Sequence, residues 1–181
     1  MMDLRDAQSG SRIDPSLHDT EHDVATQPIY ILAPYVPTAP DVVERMLELA
    51  KVSADDLVCD LGCGDGRLAI AAAVTRGARA FGVDIEPYWV DEARKLADAA
   101  GVADRVSFAH EDALSVDIRP ATVVFLYLVH WSTQRVAREL LGRCAPGTRV
   151  VSNSFPFEAV NATATETFID ASGHARSIYL W

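Results

Sequence analysis

A short apolar segment that runs directly into alternating glycines limits how this chain can fold. Residues 57–61 read Leu-Val-Cys-Asp-Leu, and Gly62, Gly64 and Gly66 follow before an apolar helical pattern begins at Arg67. This order predicts a buried strand, a tight turn and a helix. In an open parallel sheet such a turn lies at the carboxyl end of the strand, where bare backbone lets a ligand approach closely. We therefore expect a ligand site at this turn.

Short apolar runs alternate with helical patterns along the rest of the chain. The predicted strands are 57–61, 79–84, 105–109, 122–128, 148–154, 162–169 and 175–181, and the predicted helices between them are 67–75, 88–100 and 132–141. A further helix before the first strand has Thr38 as its predicted N-cap. The last two strands are separated only by a turn at Ser172, which is typical of a hairpin. The sequence thus predicts an α/β fold: an open, mostly parallel seven-stranded sheet, helices on both faces and a C-terminal antiparallel hairpin.

Composition restricts the compartment and the partners. Residues 1–26 are polar, acidic and aperiodic, which predicts a flexible arm before a single domain over 27–181. The longest apolar runs have seven residues, far fewer than the roughly 18 needed to cross a bilayer. With three cysteines and no secretory signal, we expect a cytoplasmic protein without membrane insertion. The net charge of −10 opposes binding to nucleic acid, so no nucleic-acid partner is expected.

The residues around the glycines indicate which nucleoside cofactor fits. A dinucleotide fingerprint starting at Gly62 requires glycine or alanine where Arg67 stands. Asp60 lies in the first strand, where an acid repels a pyrophosphate but attracts an ammonium group. Asp84 ends the second strand, 22 residues after Gly62, at the place where an acid binds a ribose diol. These features favour S-adenosylmethionine, which carries an ammonium group.

In these residues the chain resembles the class I S-adenosylmethionine-dependent methyltransferases, which have a Rossmann-like fold. Asp60 to Gly66 is similar to their first motif, and the resemblance implies cofactor contacts in three groups. They are Asp60, Gly62, Cys63 and Gly64 in the turn, Asp84 and Ile85 at the ribose, and Asp112 and Ala113 at the adenine. A turn-capping role is the alternative for Asp112. No metal is expected, because no cluster of ligating residues is seen.

Three further positions are candidates on the methyl-transfer side of the site. Tyr35 and Thr38 precede the first helix and are predicted to close over the methionine part of the cofactor, although Thr38 is equally explained as a helix cap. Tyr127 is the polar residue at the end of the fourth strand, where such families orient the acceptor, so it is the predicted catalytic residue. A packed aromatic is the alternative for Tyr127.

A closer likeness involves residues 33–38, 60–67, 147–152 and 178–181. These segments resemble a compact bacterial branch related to the mitochondrial protein-lysine methyltransferases of the adenine nucleotide translocase and the ATP-synthase c subunit. The resemblance implies methyl transfer to nitrogen, with a protein lysine or a small molecule as the acceptor, and leaves the oligomeric state open. A non-enzymatic S-adenosylmethionine-binding module and a nicotinamide-binding protein are the alternatives.

Overall fold

The computed structural model describes residues 32–181, so the predicted arm over 1–26 lies outside the described residues. The helices are α1 Pro40–Leu49, α2 Arg67–Arg76, α3 Pro87–Ala99 and α4 His130–Leu140, followed by a short 3-10 helix, Leu141–Arg143. The strands are β1 Leu57–Leu61, β2 Arg79–Asp84, β3 Val106–His110, β4 Val123–Leu126, β5 Arg149–Asn153, β6 Ala164–Ile169 and β7 Ala175–Leu180.

The seven strands form one sheet in the order β3-β2-β1-β4-β5-β7-β6. Strands β1 to β5 pair in parallel, whereas β7 pairs antiparallel with both β5 and β6. The strand order reverses beside β1, which has β2 on one side and β4 on the other. At such a reversal the loops leave the sheet in opposite directions and open a crevice at the carboxyl ends of the strands. The predicted fold class is confirmed, including the terminal hairpin.

Helices cover both faces of the sheet because alternate strand residues point to opposite sides. One core cluster joins Val58 and Phe125 to buried residues of α1, α2 and α3. The other joins Leu61 and Leu126 to α4, including Val136. The central strands are thus buried on both sides, which explains why they read as continuous apolar runs. Within residues 32–181, no helix is long and apolar enough to cross a membrane.

Two element boundaries differ from the sequence prediction in a way that affects the site. Helix α1 begins at Pro40 with Ala39 as its N-cap, and no side chain caps it, so the prediction of Thr38 as a helix cap is wrong. Proline is favoured at the first helical position, because its fixed φ suits the start of a helix and the N–H that it lacks would have no partner within the helix. Strand β4 pairs with β5 only as far as Leu126, so Tyr127 follows the strand rather than ending it.

The far end of β1 is held by a buried acid with several partners. Asp56 accepts hydrogen bonds from the Ser53 backbone (2.8 Å) and the Thr122 hydroxyl (2.7 Å) and also pairs with Arg149. Burial raises the pKa of Asp56, but these hydrogen bonds and the Arg149 charge outweigh it and leave the pKa below its ordinary value. The network joins β1, β4 and β5 at the edge opposite the glycine turn.

Gly66 lets α2 begin close to the third helix and strand. Its φ is +75°, and a Cβ at this position would lie 2.5 Å from Cζ of Phe108 and 2.9 Å from Cβ of Ala93. Any side chain here therefore meets both the left-handed backbone penalty and a clash with the core.

We expect Gly66→Ala to lower the free energy of unfolding by about 2–4 kcal/mol, since overpacking adds to the left-handed strain. Gly101→Ala is the matched control, because Gly101 also has a positive φ (+70°) but nothing lies within 4 Å of its added Cβ. It should cost only about 1 kcal/mol. Urea unfolding of both variants measures the difference, and equal losses would show that the contact with Phe108 is unimportant.

Candidate functional site

A cavity opens at the carboxyl ends of β1, β2 and β4, beneath the segment that precedes α1. This segment, residues 32–38, is called the strap below, and all its residues line the cavity. The structure brings every predicted site residue to this cavity: Tyr35, Thr38, Asp60, Gly62, Cys63, Gly64, Asp84, Ile85, Asp112, Ala113 and Tyr127. Residues separated by more than 90 positions in the chain therefore share one site.

Asp60 lies at the floor of the cavity as a buried carboxylate with an exposed fraction of 6%. Within residues 32–181 no hydrogen bond or ion pair to its side chain is found. Burial, together with the smaller effects of the Asp84 and Asp65 carboxylates, raises the pKa of Asp60 to about 7. A cation bound in the cavity would strongly stabilise the ionised form of such a buried carboxylate.

The glycine turn is held by β2. The backbone N–H groups of Gly62 and Cys63 both donate to the Val83 carbonyl, at 2.9 and 3.0 Å. Gly64 N–H donates to Oδ2 of Asp84 (2.8 Å), while Oδ1 of Asp84 accepts from the Glu86 backbone (3.0 Å). Asp84 therefore positions the turn, and because each carboxylate oxygen has two lone pairs it can still accept hydrogen bonds from a ligand.

The Cys63 side chain is buried beside these acids. Burial raises the pKa of its thiol well above the ordinary value, and the charges of Asp60 and Asp84 add to the shift. A thiol with a raised pKa stays protonated at neutral pH and is a poor nucleophile. Cys63 thus takes part in the site through its size and backbone.

The strap packs on the turn through Tyr35. Its ring covers Gly64 so closely that a Cβ there would lie 2.7 Å from Cε2 of Tyr35. Trp89 of α3, which also lines the cavity, stacks on Tyr35 with ring centroids 3.6 Å apart. The absence of a side chain at Gly64 is therefore explained here by the Tyr35 ring.

At the adenine end predicted from the resemblance, Asp112 and Ala113 lie in the turn after β3. Oδ1 of Asp112 accepts a hydrogen bond from the Leu114 backbone at 2.9 Å, so the turn-capping alternative describes a real contact. Asp112 also lines the cavity, and capping uses only one of its oxygens. Beside it, Nε2 of His110 lies 2.9 Å from the Ile85 carbonyl, which joins this turn to the end of β2.

Tyr127 lines the cavity on the side of β4. Its hydroxyl lies close enough to Arg176, at the start of β7, to raise the pKa of that guanidinium, although the Asp170 carboxylate is the larger cause. Nε of Arg176 donates to Oδ2 of Asp170 at 2.7 Å, and the Asp170 side chain is fully buried. The terminal hairpin thus holds a fixed cation beside Tyr127.

No group of three or more His, Cys, Asp or Glu side chains within residues 32–181 is arranged to hold a metal ion. A reaction without metal stays a prediction.

The sheet order agrees with comparisons to known proteins. The profile of the ANTKMT methyltransferase domain matches residues 60–164, more than half of the chain. The chain belongs to the ANTKMT methyltransferase family. It is therefore a class I S-adenosylmethionine-dependent methyltransferase, and the nicotinamide-binding alternative is not supported.

Two curated relatives and one solved structure illustrate the family likeness. A protein-lysine N-methyltransferase of Saccharolobus islandicus is 44% identical over 71% of this chain and 80% of its own. The mouse adenine nucleotide translocase lysine N-methyltransferase is 33% identical over 71% of this chain but only 56% of its own length. A crystal structure titled RNA methyltransferase from Salinibacter ruber, with S-adenosyl-L-homocysteine, has 45% identity and a TM-score of 0.75 over 81% of this chain and 92% of its own.

Sequence reasoning did not assign three residues that shape the methyltransferase site. Arg67 served only as an argument against a dinucleotide fingerprint, yet it contacts the strap. Trp89 read as a helix residue, and Arg176 read as a strand residue. The pair of charges at Asp65 and Arg67 was the one local signal, because it follows the glycines directly.

The unpaired Asp60 should make the ligand-free protein less stable as pH rises. In the folded protein Asp60 keeps its proton up to about pH 7, whereas the unfolded chain releases it near the ordinary value of 3.8. The unfolded state binds fewer protons in that interval, so stability falls between about pH 4 and pH 7 and then levels off. Asp60→Asn removes this loss and should stabilise the ligand-free protein at pH 8 by up to about 4 kcal/mol.

Urea unfolding at pH 5 and pH 8 measures this effect, and the gain from Asp60→Asn should be smaller at pH 5. The control is Asp55→Asn, because Asp55 is exposed and outside the cavity. It should change stability by less than about 0.5 kcal/mol at either pH. A gain from Asp60→Asn that does not depend on pH would contradict the raised pKa.

Proposed function

We propose that this methyltransferase transfers the methyl group of S-adenosylmethionine to the ε-amino group of a protein lysine. The observation that carries the choice of acceptor is the 44% identity to the Saccharolobus islandicus protein-lysine N-methyltransferase, which extends over 80% of that protein. The mouse relative, whose name also specifies a lysine, supports the same atom type.

The charges of the cavity support a placement for the cofactor. Its lining includes five acids, namely Asp60, Asp65, Asp84, Glu86 and Asp112, and among the described lining residues only one base, Arg67. Such a field favours a ligand with an ammonium and a sulfonium group. In this placement Asp60 receives the ammonium group, Asp84 and Ile85 face the ribose, and Asp112 and Ala113 face the adenine. Tyr35, Thr38, Gly62, Cys63 and Gly64 enclose the methionine part.

This placement predicts opposite effects of Asp60→Asn on stability and on binding. The variant should bind S-adenosylhomocysteine about 10- to 100-fold more weakly at pH 8, because a charge-assisted contact to the ammonium group is lost. Isothermal titration calorimetry on the variant and on the Asp55→Asn control measures the change. Unchanged affinity in Asp60→Asn would mean that the ammonium group lies elsewhere.

The acceptor would enter on the Tyr127 side of the cavity. In the reaction the lone pair of the lysine nitrogen forms the new N–C bond while the S–C bond of the sulfonium breaks, and the nitrogen releases a proton to water. The protein must hold donor and acceptor in line and exclude water, which contributes roughly 7 to 11 kcal/mol in favourable cases. The amine must be neutral to react, and the fixed charge of Arg176 beside Tyr127 disfavours a second cation there.

The overall charge favours a protein acceptor over RNA. The net charge is −10, and an acidic surface lacks the cations that neutralise phosphates in nucleic-acid complexes. The Salinibacter ruber structure is titled RNA methyltransferase, so RNA is the second candidate and must be part of the test. A lysine-rich protein substrate is attracted by the same negative field.

The test is single-turnover transfer of a radiolabelled methyl group to separated protein and RNA fractions of a lysate of the source organism, with acid hydrolysis of the labelled product. We expect label in protein, recovered as methylated lysine. Tyr127→Phe should lower the transfer rate about tenfold and leave affinity for S-adenosylhomocysteine unchanged, since the lost hydroxyl serves the acceptor.

Tyr179→Phe is the matched control, because Tyr179 lies on β7 outside the cavity lining. It should transfer at the wild-type rate. Label confined to RNA would refute the lysine acceptor, and full activity of Tyr127→Phe would reduce Tyr127 to a packing role.

A further inference from the structure

Arg67 is the first residue of α2, and its guanidinium contacts two parts of the site at once. Nε and Nη2 form a two-pronged pair with Asp65, at 2.9 and 2.6 Å. Nη1 donates to the Thr38 carbonyl at 3.0 Å, and Nη2 donates to the Tyr35 hydroxyl at 3.1 Å. All three nitrogens are thus occupied, and the side chain joins the glycine turn to the strap.

Helix stability alone does not explain an arginine at this position. The first turn of a helix carries partial positive charge, which disfavours a cation there. The Asp65 carboxylate offsets this cost: hydrogen bonding to Asp65 raises the pKa of Arg67, and the same bond lowers the pKa of Asp65 against the effect of its burial. The two-pronged pair with Asp65 fixes the orientation of the guanidinium, which then points to the strap.

The strap is anchored at its start and restricted in conformation around Tyr35. Pro34 and Pro37 flank Tyr35 and restrict the backbone on both sides of it. Tyr35 packs on Gly64 and stacks on Trp89 of α3, so it contacts both the glycine turn and α3. Leu32, at the start of the strap, is buried in the core, and its carbonyl accepts a hydrogen bond from Ser132 of α4. Beyond it, the strap is held by the stacked Tyr35 ring and by two hydrogen bonds that Arg67 donates to the Tyr35 hydroxyl and the Thr38 carbonyl. To enter or leave the cavity, a ligand as long as S-adenosylmethionine must pass beneath these contacts, or the contacts must first break.

We propose that Arg67 is a positioning residue for the cofactor, which latches the strap over the cavity and thereby sets the rate at which S-adenosylmethionine and S-adenosylhomocysteine exchange. The latch consists of Arg67, Asp65, Tyr35 and the Thr38 carbonyl. It acts on the cofactor through the strap and takes no part in methyl transfer. The inference rests on the cofactor placement proposed above and is independent of the acceptor.

The chain offers a matched control at the other end of the same helix. Arg76, the last residue of α2, pairs with Glu44 of α1. This contact also ties α2 to the segment before β1, but neither residue lines the cavity. A general loosening of α2 would therefore follow from substitution of either arginine, whereas the latch includes Arg67 and not Arg76.

The experiment measures the dissociation rate of radiolabelled S-adenosylhomocysteine after dilution into excess unlabelled ligand. Arg67→Lys keeps the charge but cannot form the planar two-pronged pair, and we expect dissociation about tenfold faster. Tyr35→Phe keeps the ring and should accelerate it about threefold. In the double variant the dissociation rate should increase by less than the product of the two single increases, because both substitutions remove the same contact. In steady state, Arg67→Lys should raise KM for S-adenosylmethionine more than it alters kcat.

Circular dichroism and urea unfolding verify that each variant is folded. An unchanged dissociation rate in folded Arg67→Lys would overturn the latch, and so would an equal acceleration in Arg76→Lys. A wild-type protein that does not bind S-adenosylhomocysteine would instead overturn the cofactor placement, so the two failures are distinguishable.

Discussion

Close packing of side chains on the bare backbone of the glycine turn supports the rest of this structure. The Tyr35 ring covers Gly64, and Phe108 reaches the backbone at Gly66. The first contact brings the strap onto the cavity, and the second brings the start of α2 against the core. Both rings lie closer to the backbone than a Cβ would permit. The cavity wall and the hydrophobic core therefore both depend on glycine at these positions.

The two ends of β1 show how one strand can combine stability with a reactive electrostatic environment. Asp56 at one end is buried among hydrogen-bond donors and Arg149, and its pKa is lowered. Asp60 at the other end is buried with no cation paired to it among residues 32–181, and its pKa is raised to about 7. The first acid stabilises the sheet, while the second destabilises the ligand-free fold above its pKa and thus strengthens binding of a cation. This is the expected trade between stability and function at a binding site.

The sides of the cavity that we propose for the methyl donor and the acceptor are built by different parts of the structure. The donor side comes from β1, β2 and the strap, where the charges are mostly acidic. The proposed acceptor side comes from the end of β4, where Tyr127 lines the cavity. In the terminal hairpin, outside that lining, buried Asp170 holds Arg176 near Tyr127. Hydrogen bonds from Ser172 and Arg176 and from the His174 backbone keep the pKa of Asp170 below its ordinary value, so this anchor stays charged. The hairpin, which completes the sheet, therefore also supplies the cation on the acceptor side.

The sequence by itself determined the order of strands and helices. Buried strands and amphipathic helices each have a characteristic local pattern of apolar residues, which can be recognised without knowledge of the tertiary structure. The seven strands lie within two residues of their predicted ends. The glycine spacing with Asp60 and Asp84 likewise predicted the position of the cavity, since parallel strands present their carboxyl ends at one edge. Tertiary structure alone decided which groups meet there. Thr38 offers its carbonyl to Arg67 and does not cap α1, and Tyr35 meets Trp89 across more than 50 residues of chain. Such contacts depend on how separate elements pack against each other. A local sequence pattern does not specify which residues of distant elements will be in contact.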